Sequence, residues 1–104
     1  MGQSMRIVAI RALRKFWLQH PAAEQPLKAW HDEAKAARWT SPQDIKNRYA
    51  TASFIGKNRV VFNIKGNDYR LIVALSHHFQ AIYIKFVGTH AQYDKIDAAT
   101  VEDA

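Results

Sequence analysis

The sequence contains no cysteine and no long apolar run. Without cysteine there is no disulfide framework, no thiolate nucleophile and no thiolate zinc site. No stretch approaches the roughly 20 apolar residues that cross a bilayer. The apolar segment 7–10 is too short for a signal peptide, because Arg11 follows it directly. We therefore expect a cytoplasmic protein with no membrane partner, and 104 residues suffice for one domain with a single core.

Acidic residues are scarce in the most basic part of the chain. The net charge is +6, and between residues 45 and 93 the one acid is Asp68. A segment so poor in acids favours a polyanionic partner such as nucleic acid, although a solvated surface can have the same composition. The basic residues of this segment are Lys46, Arg48, Lys57, Arg59, Lys65, Arg70 and Lys85.

Histidine would have to replace cysteine in a metal site, and the histidines lack the spacing of helical metal ligands. No two of them are four residues apart, the spacing that places two ligands on one face of a helix. We predict neither a bound metal nor a cofactor. The histidines are His20, His31, His77, His78 and His90.

Apolar periodicity divides the chain into an N-terminal helical part and a C-terminal strand part. Residues 1–4 precede a second methionine and are interpreted as a start extension or an expression scar, so the domain is predicted to span residues 5–97. Ser41 followed by Pro42 is a typical helix start. The predicted elements are a strand at 6–10, helices at 11–20, 23–38 and 42–49, strands at 59–65, 69–76 and 81–87, a loop at 77–79, a helical turn at 89–96 and a frayed, flexible tail at 98–104.

The strand part predicts a small antiparallel sheet and, together with the helices, an α+β fold. If Gly66 and Asn67 form a two-residue turn, Asn63 lies opposite Arg70. Alternation along the strands then separates an apolar face, which the N-terminal helices should cover, from a polar one. The apolar face carries Phe62, Ile64, Leu71, Val73, Leu75, Ile82, Ile84 and Phe86, and the polar face carries Asn63, Lys65, Arg70 and Lys85 among Val61, Ile72, Ala74 and Tyr83.

The polar face and the segment that follows the last strand predict an anion site. Arg70 has branched apolar neighbours, and a half-buried guanidinium favours an anionic partner; Lys65 alone suits an ordinary wet face. His90 is predicted at a helix start, where free amide hydrogens attract anions. Tyr93 shares its helical face and can stack on a base or donate a proton, while Asp94 can orient His90 or Arg70. A lone histidine at a cap or a lone tyrosine is more often structural.

Two C-terminal segments together resemble the HigB family of type II toxins, which belongs to the RelE superfamily. They are RVVFNIKGNDYR at residues 59–70 and IKFVGTHAQYDKI at residues 84–96. The segment EQPLKAW at residues 24–30 is also similar, so the resemblance covers nearly all of residues 5–97. It implies a RelE-like fold and an mRNA endoribonuclease (mRNA interferase), often acting on ribosome-bound transcripts, that inhibits translation and growth. It also implies a HigA-type antitoxin with a helix-turn-helix domain, and binding of operator DNA only through the toxin–antitoxin complex.

The resemblance also suggests site residues. RNA cleavage without a metal ion needs a base for the 2′-hydroxyl proton, an acid for the 5′-leaving oxygen and cations for the phosphorane. RelE-type toxins carry two lysines where Val61 and Asn63 stand here, and their arginine after the last strand is replaced near His90, so Lys65 and Lys85 are candidates for the missing charge. We predict the catalytic residues Arg70, His90, Tyr93 and Lys85, and the RNA-binding residues Asn63, Lys65, Asn67, Lys57, Arg59, Asp94 and Lys95.

Two other functions fit the same sequence. A basic module, for example a ribosome-associated protein, would bind RNA without cleaving it. An interaction domain would use its basic face for an acidic partner. Cleavage of a translated message separates the nuclease from the first alternative, and loss of toxicity in His90→Ala or Arg70→Ala variants separates it from the second.

Overall fold

The computed structural model describes residues 5–56, 58–76 and 80–104. These residues form four α-helices and five strands. The strands join in one sheet of order β1-β5-β4-β3-β2. A 3-10 turn, Pro21–Ala23, links the first two helices. The elements in chain order are β1 Arg6–Val8, α1 Ile10–Gln19, α2 Glu24–Ala36, α3 Pro42–Arg48, β2 Ser53–Ile55, β3 Arg59–Ile64, β4 Tyr69–Ser76, β5 Ala81–Thr89 and α4 His90–Tyr93. Residues 1–4 and the loop predicted at 77–79 lie outside the described residues.

The predicted antiparallel sheet is extended at one edge by a parallel strand, so the sheet is mixed. β1 pairs in parallel with β5, whereas β2, β3, β4 and β5 pair antiparallel in succession. A parallel pair needs a long crossover, and the helices that follow β1 belong to the connection that brings the chain back beside it. The opposite edge, β2, was not predicted, because three residues are too few to show alternation.

The helices begin and end close to their predicted residues. Ala9 has a left-handed backbone with a φ of 72°, which ends β1 at Val8 and allows α1 to begin at Ile10. The strand is therefore shorter than predicted. The hydroxyl of Ser41 accepts a hydrogen bond from the backbone N–H of Asp44, as predicted for a helix cap. No helix within the described residues is long and apolar enough to cross a membrane.

One face of the sheet, here the helix face, packs against α1, α2 and α3. Phe62 of β3 is fully buried at its centre, and its ring centroid lies 5.1 to 6.1 Å from those of Trp30, Trp39 and Tyr49. Burying a side chain of this size contributes about 1.5–3 kcal/mol. The helix face therefore gives β3 and β4 a rigid support. Its other buried strand residues are Val60, Ile64, Tyr69, Leu71, Val73, Leu75, Ile82 and Ile84.

A β-bulge at Lys85 changes which residues of β5 face the helices. Ile72 pairs with Phe86 and the next residue, Val73, pairs with Ile84, so Lys85 is the extra residue. An extra residue reverses the alternation beyond it. Phe86 was predicted on the helix face but consequently lies with Val61 and Ile72 on the opposite face, which we call the far face. Val87 packs against the helix-face core instead.

The segment 98–104, predicted to be a flexible tail, packs across the far face. Ala98 and Val101 contact the buried cluster of Val61, Ile72 and Phe86. The backbone N–H of Asp103 donates a hydrogen bond to the carbonyl of Lys85 at 2.8 Å. This C-terminal strap (98–104) remains in place because it covers an apolar cluster that would otherwise meet water. The composition of residues 98–104 did not indicate that they would cover an apolar surface.

Candidate functional site

Arg70 is the buried cation of the far face. It lies in β4 opposite Asn63 of β3, as the predicted turn required, and opposite Gly88 of β5. Its residue exposure is 8%. The guanidinium donates to the carbonyl of Asn67 at 3.1 Å, the carbonyl of Tyr69 at 3.2 Å and Oδ1 of Asn67 at 3.4 Å. In the part of the chain that the structure describes, no carboxylate lies within ion-pair distance of it.

Tyr93 lies next to this guanidinium. The carbon at the centre of the Arg70 guanidinium is 5.7 Å from the centroid of the Tyr93 ring, a cation–π distance. Tyr93 is held by the short helix α4, which a capping box starts: Thr89 and Gln92 exchange hydrogen bonds between side chain and backbone. The aromatic ring therefore forms one wall of the space around Arg70, and the predicted association of these two residues is present.

His90 lies on the first turn of α4 with its side chain half exposed. Its Nδ1 is 3.3 Å from Oδ2 of Asp94, so Asp94 contacts His90 rather than Arg70. The backbone N–H of His90 donates to the carbonyl of Asp68 at 3.1 Å, which ties α4 to the β3–β4 turn. This bond brings the imidazole to the same end of the sheet as Asn67 and Arg70.

At the start of α4, where free amide hydrogens were predicted to attract an anion, three backbone N–H groups already have acceptors within the protein. The N–H of Thr89 donates to the side chain of Gln92, that of Gln92 donates to Thr89, and that of His90 donates to Asp68. The capping box engages the N–H groups of Thr89 and Gln92, and the β3–β4 turn engages that of His90. An anion at this end of the sheet would depend on the side chains of Arg70 and His90 instead.

Lys65 and Asn67 occupy the β3–β4 turn. The N–H of Asp68 donates to the carbonyl of Lys65 at 3.2 Å, which closes the turn around Gly66 and Asn67 as predicted. Lys65 has a left-handed backbone with a φ of 54°, so β3 ends one residue earlier than predicted. Its Nζ is 3.4 Å from Oδ2 of Asp68 and both side chains are about half exposed. Lys65 is thus a surface cation beside the site.

Lys85 and Arg59 form a second cationic group, separate from Arg70. Arg59 pairs with Ala74, four residues along β4 from Arg70, which is roughly 13 Å along a strand. The Nζ of Lys85 is 2.8 Å from Oε1 of Glu102, and the guanidinium of Arg59 binds the other carboxylate oxygen. The apolar cluster of the far face lies between the two groups. Lys85, predicted to share the polar face with Arg70, is ion-paired with Glu102.

The last predicted RNA-binding residues lie at the margins. Lys95 is exposed just after α4 and lines a groove with Lys15 of α1 and Gln92. Lys57 lies outside the described residues. In the described ranges no three histidine, aspartate or glutamate side chains are grouped as metal ligands would be.

Gly88 and Glu102 are the residues that our sequence reasoning missed. A Cβ on Gly88 would lie 2.5 Å from Cζ of Phe86 and 2.9 Å from Oε1 of Gln92. The glycine therefore allows the Phe86 ring and the capping box to approach the strand opposite Arg70. A glycine near the end of β5 is visible in the sequence, but the bulge that directs Phe86 towards it is not.

Replacing Gly88 with alanine is expected to destabilise the fold by about 1–3 kcal/mol, because the buried Phe86 ring has little room to move. Urea unfolding monitored by circular dichroism measures the change. A Gly88→Ala, Phe86→Leu double variant should lose less than the sum of the two single variants, because the smaller side chain relieves the overlap. Additive losses would show that the contact is not the cause.

The comparisons with known proteins place these features in a family. The sequence profile of the HigB toxin family matches residues 23–96, and the family is described as the RelE-like toxic component of a toxin–antitoxin system. The matched range includes both cationic groups, the β3–β4 turn and α4. No curated protein is significantly similar to the chain. The mixed α+β fold with its five-stranded sheet is consistent with a RelE-like toxin, and the chain belongs to the HigB toxin family of toxin–antitoxin systems.

Proposed function

We propose that this toxin is an mRNA endoribonuclease that cleaves messages on the ribosome and so inhibits translation and growth. The observation that carries the proposal is Arg70: a guanidinium at 8% exposure with no carboxylate partner in the described chain. A buried cation is unfavourable unless an anion compensates it. The guanidinium fork fits two oxygens of one phosphate. We therefore assign Arg70 the role of binding the scissile phosphate.

The chemistry that fits this arrangement is attack by the ribose 2′-hydroxyl on the adjacent phosphate. His90 accepts the 2′-hydroxyl proton, the new oxygen–phosphorus bond forms, and the bond to the 5′-oxygen breaks. Arg70 stabilises the charge that builds up on the phosphorane oxygens. Tyr93 stacks on a base or donates the proton that the leaving oxygen takes up. Each step uses side chains of this chain, without a metal ion or cofactor.

We place the remaining predicted residues around this centre. Asn63 and Asn67 would orient the ribose and Arg70, Asp94 would hold His90 in one tautomer, and Lys65 and Lys95 would bind neighbouring phosphates. Membership in a toxin–antitoxin family implies an antitoxin partner. We propose that this antitoxin is HigA-type, with a helix-turn-helix domain, and that operator DNA is bound only through the complex. The proposed substrate places the toxin in the cytoplasm.

A second candidate is a basic module that binds RNA or the ribosome without cleaving. The separation of Lys85 from Arg70 favours it, because this cation is held by Glu102 rather than by the site. A module of this kind needs phosphate contacts but no acid or base. It would bind RNA and leave it intact.

Inducible expression tests the proposed function. We expect growth arrest that is rescued by co-expression of the neighbouring open reading frame, together with new 5′ ends in a translated message, detected by primer extension. The same message with its start codon removed is the control for ribosome dependence. Tight RNA binding with intact message would contradict the nuclease and support the non-cleaving module.

A further inference from the structure

The C-terminal strap lies over the cations that RNA would need on the far face. The guanidinium of Arg59 donates to the carbonyl of Ala98 at 3.1 Å and to that of Val101 at 2.7 Å, besides its ion pair with Glu102. Beneath the strap, the side chain of Arg59 is only 12% exposed. An RNA strand that ran from Arg70 to Lys85 would therefore cross the strap.

Glu102 lies between two cations. One carboxylate oxygen contacts Lys85 and the other contacts Arg59. The hydrogen bond from Lys85, with a further contribution from Arg59, lowers the pKa of Glu102 below its ordinary value. A carboxylate held by an arginine and a lysine has the donor set that a phosphodiester would meet there.

The contacts of the strap with Arg59 and Lys85 are polar, so a competing anion can replace them. The Glu102 side chain is 58% exposed, whereas those of Arg59 and Lys85 are 12% and 25% exposed, so solvent screens these ion pairs only in part. Besides its contacts with Arg59, the strap packs on the apolar cluster through Ala98 and Val101. The backbone N–H of Asp103 also donates to the carbonyl of Lys85.

We propose that the C-terminal strap competes with RNA for the far face, with the Glu102 carboxylate occupying a phosphate subsite formed by Arg59 and Lys85. The inference rests on the proposed function and adds a regulatory step to it. The strap must move off the far face before the backbone of the RNA can extend from Arg70 to Lys85. Loss of the Glu102 charge should expose the subsite.

The test uses the whole chain and a short single-stranded DNA, which has the phosphates of RNA but lacks the 2′-hydroxyl that cleavage requires. We expect Glu102→Gln to bind it about fivefold more tightly than the wild type, as for the loss of one competing ion pair. Asp103→Asn is the matched control: it changes net charge equally, one residue away, and Asp103 forms no ion pair in the described chain. Fluorescence anisotropy gives each Kd.

A second measurement follows the strap directly. Addition of the DNA should accelerate hydrogen exchange at the Asp103 amide while the amides of β4 stay protected. Equal affinities of the two variants, or an Asp103 amide that stays protected in the bound state, would overturn the competition and leave the proposed function standing. If the DNA binds neither the wild type nor any variant, this inference fails, whereas the proposed function is decided by cleavage of the translated message.

Discussion

The Arg70→Ala toxin is expected to cleave a translated message about 10²- to 10³-fold more slowly than the wild type, the loss typical of removing one preorganised transition-state donor. The guanidinium is already oriented by Asn67 and by the carbonyl of Tyr69, so it needs no rearrangement when charge develops on the phosphate. Initial rates of primer-extension products measure the effect. The same variant should bind the short single-stranded DNA more weakly.

Two variants control this experiment. Arg70→Lys keeps the charge but loses the planar fork, and we expect it to recover at most about a tenth of the wild-type rate. Arg38→Ala removes an exposed arginine that forms no ion pair in the described chain, and it should leave the rate unchanged. Because Arg70 is buried, circular dichroism and urea unfolding must show that each variant folds. A folded Arg70→Ala protein with the wild-type rate would contradict the phosphate assignment.

The position of Arg70 was predictable because the turn and the strand alternation both depend on local sequence. Gly66 and Asn67 set the register of β3 against β4, and that register placed Asn63 opposite Arg70. Alternation then put Arg70 on the face away from the helices. The helix cap at Ser41 was predictable for the same reason, since its hydrogen bond spans three residues.

The position of Phe86 was not predictable from alternation. A bulge depends on how β4 and β5 pair over their whole length, and β5 alone shows no break in its apolar pattern. The extra residue sends Phe86 to the far face and creates the apolar cluster that the strap covers. The error in the sheet face and the error in the tail thus have one physical cause.

The pairing of β1 with β5 also depends on long-range structure. β1 lies at the start of the chain and β5 near its end, and three residues show too little pattern to specify a partner or a direction. The acid-poor region contains the buried Arg70, on which the proposed site is built. Composition did not show that Glu102, from the acidic end of the chain, would neutralise Lys85.

Replacing His90 with alanine is expected to lower the cleavage rate by about 10²- to 10⁴-fold, the range for loss of a positioned general base. Asp94 lies at Nδ1 and favours the tautomer that leaves the lone pair of Nε2 available for the 2′-hydroxyl proton. His90→Gln should lose as much, because glutamine keeps polar contacts but cannot take a proton at neutral pH. His31→Ala, on α2 and away from the far face, is the control and should keep the wild-type rate.

Binding separates the role of His90 from that of Arg70. If His90 acts in proton transfer, His90→Ala should bind the short single-stranded DNA as tightly as the wild type, because this probe carries no 2′-hydroxyl. Arg70→Ala should lose both binding and cleavage, because a phosphate contact acts in the ground state and in the transition state. A His90→Ala protein that binds more weakly and cleaves proportionally more slowly would instead make His90 a phosphate contact, and the base would have to be another residue.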